Sequence, residues 1–171
     1  MTTSEQFITH LNDVFDSKGL KLISDFFITF SRFECALKTS ITYSNERKGK
    51  IEPDWSKFTK SIKDTFNKDR TIELKTAVEF ILNNPPKYQT IEFKTLRWVE
   101  KSFNHNEPEL NKLEQHIRDI RNNLFHGGKF YGRFTHDVSR NAKLIKYAIL
   151  VLDEWLELNI QVRTIFLSPL N

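Results

Sequence analysis

Cysteine is almost missing from this chain. The single thiol, Cys35, cannot form an intramolecular disulfide, which excludes a small disulfide-stapled fold and makes a reducing cytoplasm the expected compartment. No run approaches the roughly 18–20 apolar residues that a membrane-spanning helix needs, so no membrane partner is expected. The opening MTTSEQFITHLND has neither the basic start nor the apolar run of a secretory signal. Glycine and proline, five of each in 171 residues, are scarce, which suits long helices joined by short turns. Low-complexity tracts and internal repeats are absent, and 28% charged residues fit a folded globular chain. No pair of His, Asp, Glu or Cys around residues 118–133 has zinc-site spacing, Cys35 stands alone and no glycine loop could cradle a phosphate, so no metal and no cofactor is expected.

Two things are abundant. Fifteen phenylalanines and three tryptophans are a large aromatic allotment, expected to fill the core. Positive charge is concentrated late in the chain: between Asn111 and Lys146, eight Lys and Arg face three Asp and Glu, a local excess of five against a whole-chain net of +4. Such a field attracts polyanions, although a solvated basic helix face has the same composition.

Apolar spacing predicts an all-α bundle in one domain over residues 1–171, with its core at about 20–158 and a C-terminal tail at 159–171. A first helix starts at Thr3, where Thr3 and Gln6 have capping-box spacing, and carries Phe7, Leu11, Val14 and Phe15 before Gly19 breaks it. A longer helix follows on Ile23, Phe26, Phe30, Phe33, Leu37 and Ile41. Residues 42–54 read as an exposed loop. Trp55, Phe58, Ile62 and Phe66 mark a third helix. Thr71 caps a fourth, with Leu74, Val78 and Ile81, ending at Asn83-Asn84-Pro85-Pro86. A short helical piece is expected around Phe93 to Phe103, and no hairpin is convincing. Asn106 and Glu109, with Pro108 in the first turn, start a helix whose buried face is Leu113, Ile117, Ile120 and Leu124. Gly127 and Gly128 stop it. Asp137 caps the last long helix, with Ile145, Ile149, Leu152 and Leu156 inside. The tail reads equally as a short strand or an extended arm.

The stretch RDIRNNLFHGGKFYGR, residues 118–133, carries the chemistry. RNA is cleaved without metal when its 2′-hydroxyl attacks the adjacent phosphorus. Catalysis then needs a proton relay, a donor for the leaving 5′ oxygen and a cation for the anionic phosphorane. Histidine as a residue type ionises near neutrality, which suits the proton step, and a position at a helix C-terminus would favour the imidazolium form of His126. Arg121 offers a fork of two charge-assisted hydrogen bonds, and Asn122 can orient either group. The glycines admit a nucleic-acid backbone. Arg118, Lys129, Arg133, Arg140 and Lys143 are available to phosphates. Phe130, Tyr131 and Phe134 make either a base-stacking platform or a turn packed on the bundle. Glu34 is either the partner that fixes Arg121 or a surface residue. His10, His105, His116 and His136 read as surface residues, with RNA contact the lesser alternative for His116 and His136. On an ideal helix Arg121 and His126 lie about 140° apart. Either the last turn unwinds, or a two-fold dimer pools two arginines and two histidines in one cleft, the preferred solution.

The spacing alone is weak, since an Arg-x4-His match arises by chance in roughly one such sequence in four. The longer string RNNLFHGG at the end of an amphipathic helix says more, and here the chain resembles the HEPN domains (higher eukaryotes and prokaryotes nucleotide-binding). Their signature is an arginine, usually followed by a polar residue, then a histidine four to six positions after the arginine, matched by Arg121, Asn122 and His126. FFITFSRFECALK, residues 26–38, looks like the early helix of bacterial HEPN proteins, and NNPPKYQ followed by LRW like the middle of one subgroup. The resemblance covers about residues 20–155. It implies a helical bundle that dimerises through the motif helix and a metal-independent endoribonuclease leaving 2′,3′-cyclic phosphate ends. Arg121 and His126 would be catalytic and Asn122 supporting. It also implies a toxin or phage-defence effector, often beside a nucleotidyltransferase antitoxin. Other members bind RNA, nucleotide or a protein partner without cutting, and a purely structural helical subunit is a third reading.

Overall fold

The computed structural model describes residues 1–14, 17–125 and 138–169. They are mostly helical, with two small antiparallel sheets. Helices α1 (Thr3–Val14) and α2 (Ser17–Thr39) precede a hairpin of β1 (Ser44–Arg47) and β2 (Lys50–Pro53). Then come α3 (Trp55–Ile62), α4 (Ile72–Asn83) and a second hairpin, β3 (Tyr88–Glu92) with β4 (Thr95–Val99). Helices α5 (Glu109–Phe125), α6 (Val138–Leu158) and α7 (Ile160–Phe166) complete the described chain.

Helix α6 lies against α2 and α4, α5 against α3 and α4, and α7 against α2. The aromatic allotment sits where these helices meet. Phe33 of α2 stacks parallel on Trp55 of α3, with centroids 5.3 Å apart, and meets Phe58 edge-on at 5.1 Å. Trp155 of α6 joins the cluster, 6.5 Å from Phe33 and 6.1 Å from Phe58 between ring centroids. Each such ring taken from water contributes roughly 2–3 kcal/mol, which suits a chain with few other means of pinning its helices. The expected inner faces of α4 and α5 are buried throughout: Leu74, Val78 and Ile81, then Leu113, Ile117, Ile120 and Leu124.

Local chemistry sets the boundaries. The Thr71 hydroxyl caps α4 by accepting from the Leu74 N–H at 3.0 Å, as its position implies. Asp54 does the same for α3. The capping box of α1 lies one residue earlier than expected, on Thr2 and Glu5, each accepting from the other's backbone N–H. Gly19 lies inside α2 and breaks nothing. Pro108 stands just before α5, its carbonyl accepting from Asn111 and Lys112.

Four further expectations are corrected. Residues 42–54, expected as an exposed loop, are largely exposed but contain a hairpin: Ser44 to Arg47 pair in register with Pro53 to Lys50. The helix expected around Phe93 to Phe103 is instead a hairpin, with Ile91 opposite Leu96 and Gln89 opposite Trp98. Its β-branched and aromatic residues favour an extended chain, and Phe93-Lys94 makes the turn with positive φ at both positions. The tail is neither strand nor arm but α7, capped by Asn159 and buried through Val162. Its C-terminal carbonyls, at Ile165, Phe166 and Ser168, accept from the Arg32 guanidinium of α2. Ile41, counted on the inner stripe of α2, is exposed because that helix ends at Thr39.

Candidate active site

Arg121 sits on the last turn but one of α5, at the border between its buried and exposed faces. Phe30 and Glu34, four residues apart on α2, form one stripe of that helix. Arg121 reaches across both. Its Nη2 lies 3.2 Å from Glu34 Oε2, and its guanidinium carbon lies 5.5 Å from the centre of the Phe30 ring. Nη1 donates to Oδ1 of the neighbouring Asn122 at 2.8 Å. The other Glu34 oxygen, Oε1, accepts from Trp55 Nε1 at 3.4 Å. The guanidinium therefore hangs from the aromatic core through Glu34, itself tied to the ring that stacks on Phe33.

The Arg121 side chain is still 31% exposed and that of Glu34 19%. A cation oriented on several sides yet open to solvent can meet an anion without reorganising. Of the two readings of Glu34, the structure takes the paired one. Phe30 and Trp55, read from sequence only as core, also hold the site. The signal was the four-residue spacing of Phe30 and Glu34.

The remaining candidates are scattered. His126, Lys129 and Arg133 lie outside the described residues, as do the Gly127-Gly128 pair, the Phe130, Tyr131 and Phe134 group, Asp137 and His136. Arg118 is half exposed and donates to Glu114 at 2.9 Å, one turn back along α5. Burial pushes the Glu114 carboxyl above its usual range, opposed by the Arg118 hydrogen bond. Arg140 does not present itself simply as a surface phosphate contact. It is partly buried and donates to the backbone carbonyls of Asn84 at 3.0 Å and Pro85 at 2.9 Å, clamping the exit of α4. Lys143 is exposed, with Nζ 5.7 Å from the centre of the Phe80 ring.

His116 is corrected outright. Far from being a surface residue, it is 3% exposed and meets Phe103 edge-on at 5.0 Å. Desolvation pushes its pKa down from 6.5 to about 4, outweighing the nearby Asp119 carboxylate. Its position three residues after Leu113 and four before Ile120 places it on the buried face.

Among the described residues, no group of three or more His, Cys, Asp and Glu side chains converges as a metal site. None of the described helices is long and apolar enough to cross a membrane. Compared with known proteins, the chain matches no family model, no curated sequence and no solved structure.

Proposed function

We propose that the chain is a metal-independent endoribonuclease of the HEPN type, acting as a homodimer through α5. The observation that carries this reading is the guanidinium of Arg121, oriented by Glu34, Asn122 and Phe30 while still open to solvent, five residues before His126 in sequence. In the reaction the 2′-oxygen bonds to phosphorus as its proton leaves. The bond from phosphorus to the 5′ oxygen breaks, and a proton passes to that oxygen. The products are a 2′,3′-cyclic phosphate and a 5′-hydroxyl. Arg121 stabilises the phosphorane with charge-assisted hydrogen bonds, and His126 serves the proton transfer. Glu34 is a positioning residue that acts through Arg121. A defence or toxin setting, with a nucleotidyltransferase antitoxin as partner, belongs to the same proposal.

A second reading rests on the same ion pair. A guanidinium neutralised by Glu34 attracts phosphate less strongly, which suits a module that binds RNA, nucleotide or a protein partner without cutting.

Glu34→Gln separates the two. If Glu34 orients a catalytic arginine, cleavage of a labelled single-stranded RNA slows about tenfold in kcat with KM little changed. If the pair merely tempers a binding surface, the variant binds RNA more tightly and wild type leaves the strand intact, an outcome that contradicts the enzyme.

A further inference from the structure

Away from Arg121, a cleft of about 430 Å³ opens between the C-terminal end of α4 and the start of α5, walled by Pro85, Lys101, Phe103, Glu109, Lys112 and His116. Its size falls in the usual range for small-ligand sites, roughly 300–1,000 Å³. Two of its charges are already matched: Lys101 pairs with Asp119 and Glu109 with Lys68, each at 2.7 Å. Lys112 is half-buried and has no ion-pair partner among the described residues. One turn further along the same face of α5, His116 is 3% exposed, and its Nδ1 is buried with no hydrogen-bond partner among the described residues.

Lys112, a half-buried cation without a counter-ion among the described residues, and His116, whose imidazole has an unpartnered ring nitrogen, both line this cavity. The edge-on contact with Phe103 places an aromatic ring beside them. Burial keeps the imidazole neutral, so the anion of a ligand belongs on Lys112 and not on His116. A hydroxyl, which both donates and accepts, suits His116 in either tautomer.

We propose that this cleft binds a small aromatic anion bearing a hydroxyl group, with the anionic group on Lys112, the ring against Phe103 and the hydroxyl on the His116 imidazole. The site is independent of the Arg121 cluster and of any cleavage there.

The test uses the full chain and 4-hydroxybenzoate, with benzoate and phenol as probes that lack the hydroxyl and the anion respectively. Binding is followed through the imidazole resonances of His116 and by calorimetry. The proposal expects 4-hydroxybenzoate to shift those resonances and to bind about tenfold more tightly than either fragment. Lys112→Met should remove the advantage over phenol, and His116→Phe the advantage over benzoate. Lys112 supports no ion pair among the described residues, so its variant keeps the fold and decides the matter even if His116→Phe does not. No shift at millimolar 4-hydroxybenzoate, equal binding of all three probes, or unchanged binding to Lys112→Met would each overturn the assignment.

Discussion

Arg121 concentrates four constraints in one side chain: a carboxylate, an amide oxygen, an aromatic face and an opening to solvent. Replacing it with lysine keeps the charge but loses the planar fork, so on the proposed mechanism Arg121→Lys should cleave RNA about 100-fold more slowly while remaining folded. Steady-state kinetics beside circular dichroism checks both halves. The Glu34 partnership was legible as an option, because an arginine at the border of an apolar stripe commonly needs an acid. The burial of His116 was harder to read, since it depends on Phe103, contributed by the link between β4 and α5. That burial has a measurable cost. The unfolded chain takes up the proton near pH 6.5 and the folded chain only near 4. Between these values the unfolded state holds more protons, so stability falls as pH drops through the window and is fully present above it. Urea midpoints should show a loss on the order of 2–3 kcal/mol across the window in wild type, and much less in His116→Phe.

Among the elements, the two hairpins show why strands were missed. β1 and β2 are almost entirely polar and exposed, so no alternation betrays them. In the second hairpin, Phe93, Leu96, Val99 and Phe103 recur every three or four residues and imitate a helix. The turn also lacks the Asn-Gly or Asp-Gly pair that would announce it. Phe93 and Lys94 instead take φ of 49° and 61°, a region that bulky side chains rarely enter. The double change Phe93→Asn with Lys94→Gly should therefore raise stability by about 1 kcal/mol, seen as a higher thermal midpoint. A lowered midpoint would mean that the Phe93 ring contributes more than its backbone costs. The last helix was not read from sequence, where strand and extended arm were the two options, because its hold is long-range. Asn159 caps it through Val162 N–H while donating to Tyr43 Oη at 2.8 Å and Ser61 Oγ at 3.2 Å. Asn159→Ala removes the cap and strands buried partners, with an expected loss of about 2–4 kcal/mol in chemical denaturation.

At the scale of the whole molecule, the helical class followed from periodic apolar residues and scarce glycine, features that each helix carries within itself. The arrangement of helices around the Phe33, Trp55 and Trp155 cluster did not, because it depends on which faces meet. The proposed composite site makes the assembly itself testable. Light scattering should give about twice the 20.3 kDa chain mass. Mixing inactive Arg121→Ala and His126→Ala chains should restore roughly one quarter of wild-type cleavage, since a mixed dimer keeps one intact pairing of arginine and histidine. The most direct measurement is cleavage of a labelled single-stranded RNA in EDTA by wild type, Arg121→Ala and His126→Ala, with the new ends analysed chemically. The proposed function predicts 2′,3′-cyclic phosphate ends from wild type and none from either folded variant. RNA left whole by wild type, or cut equally by all three, would contradict it.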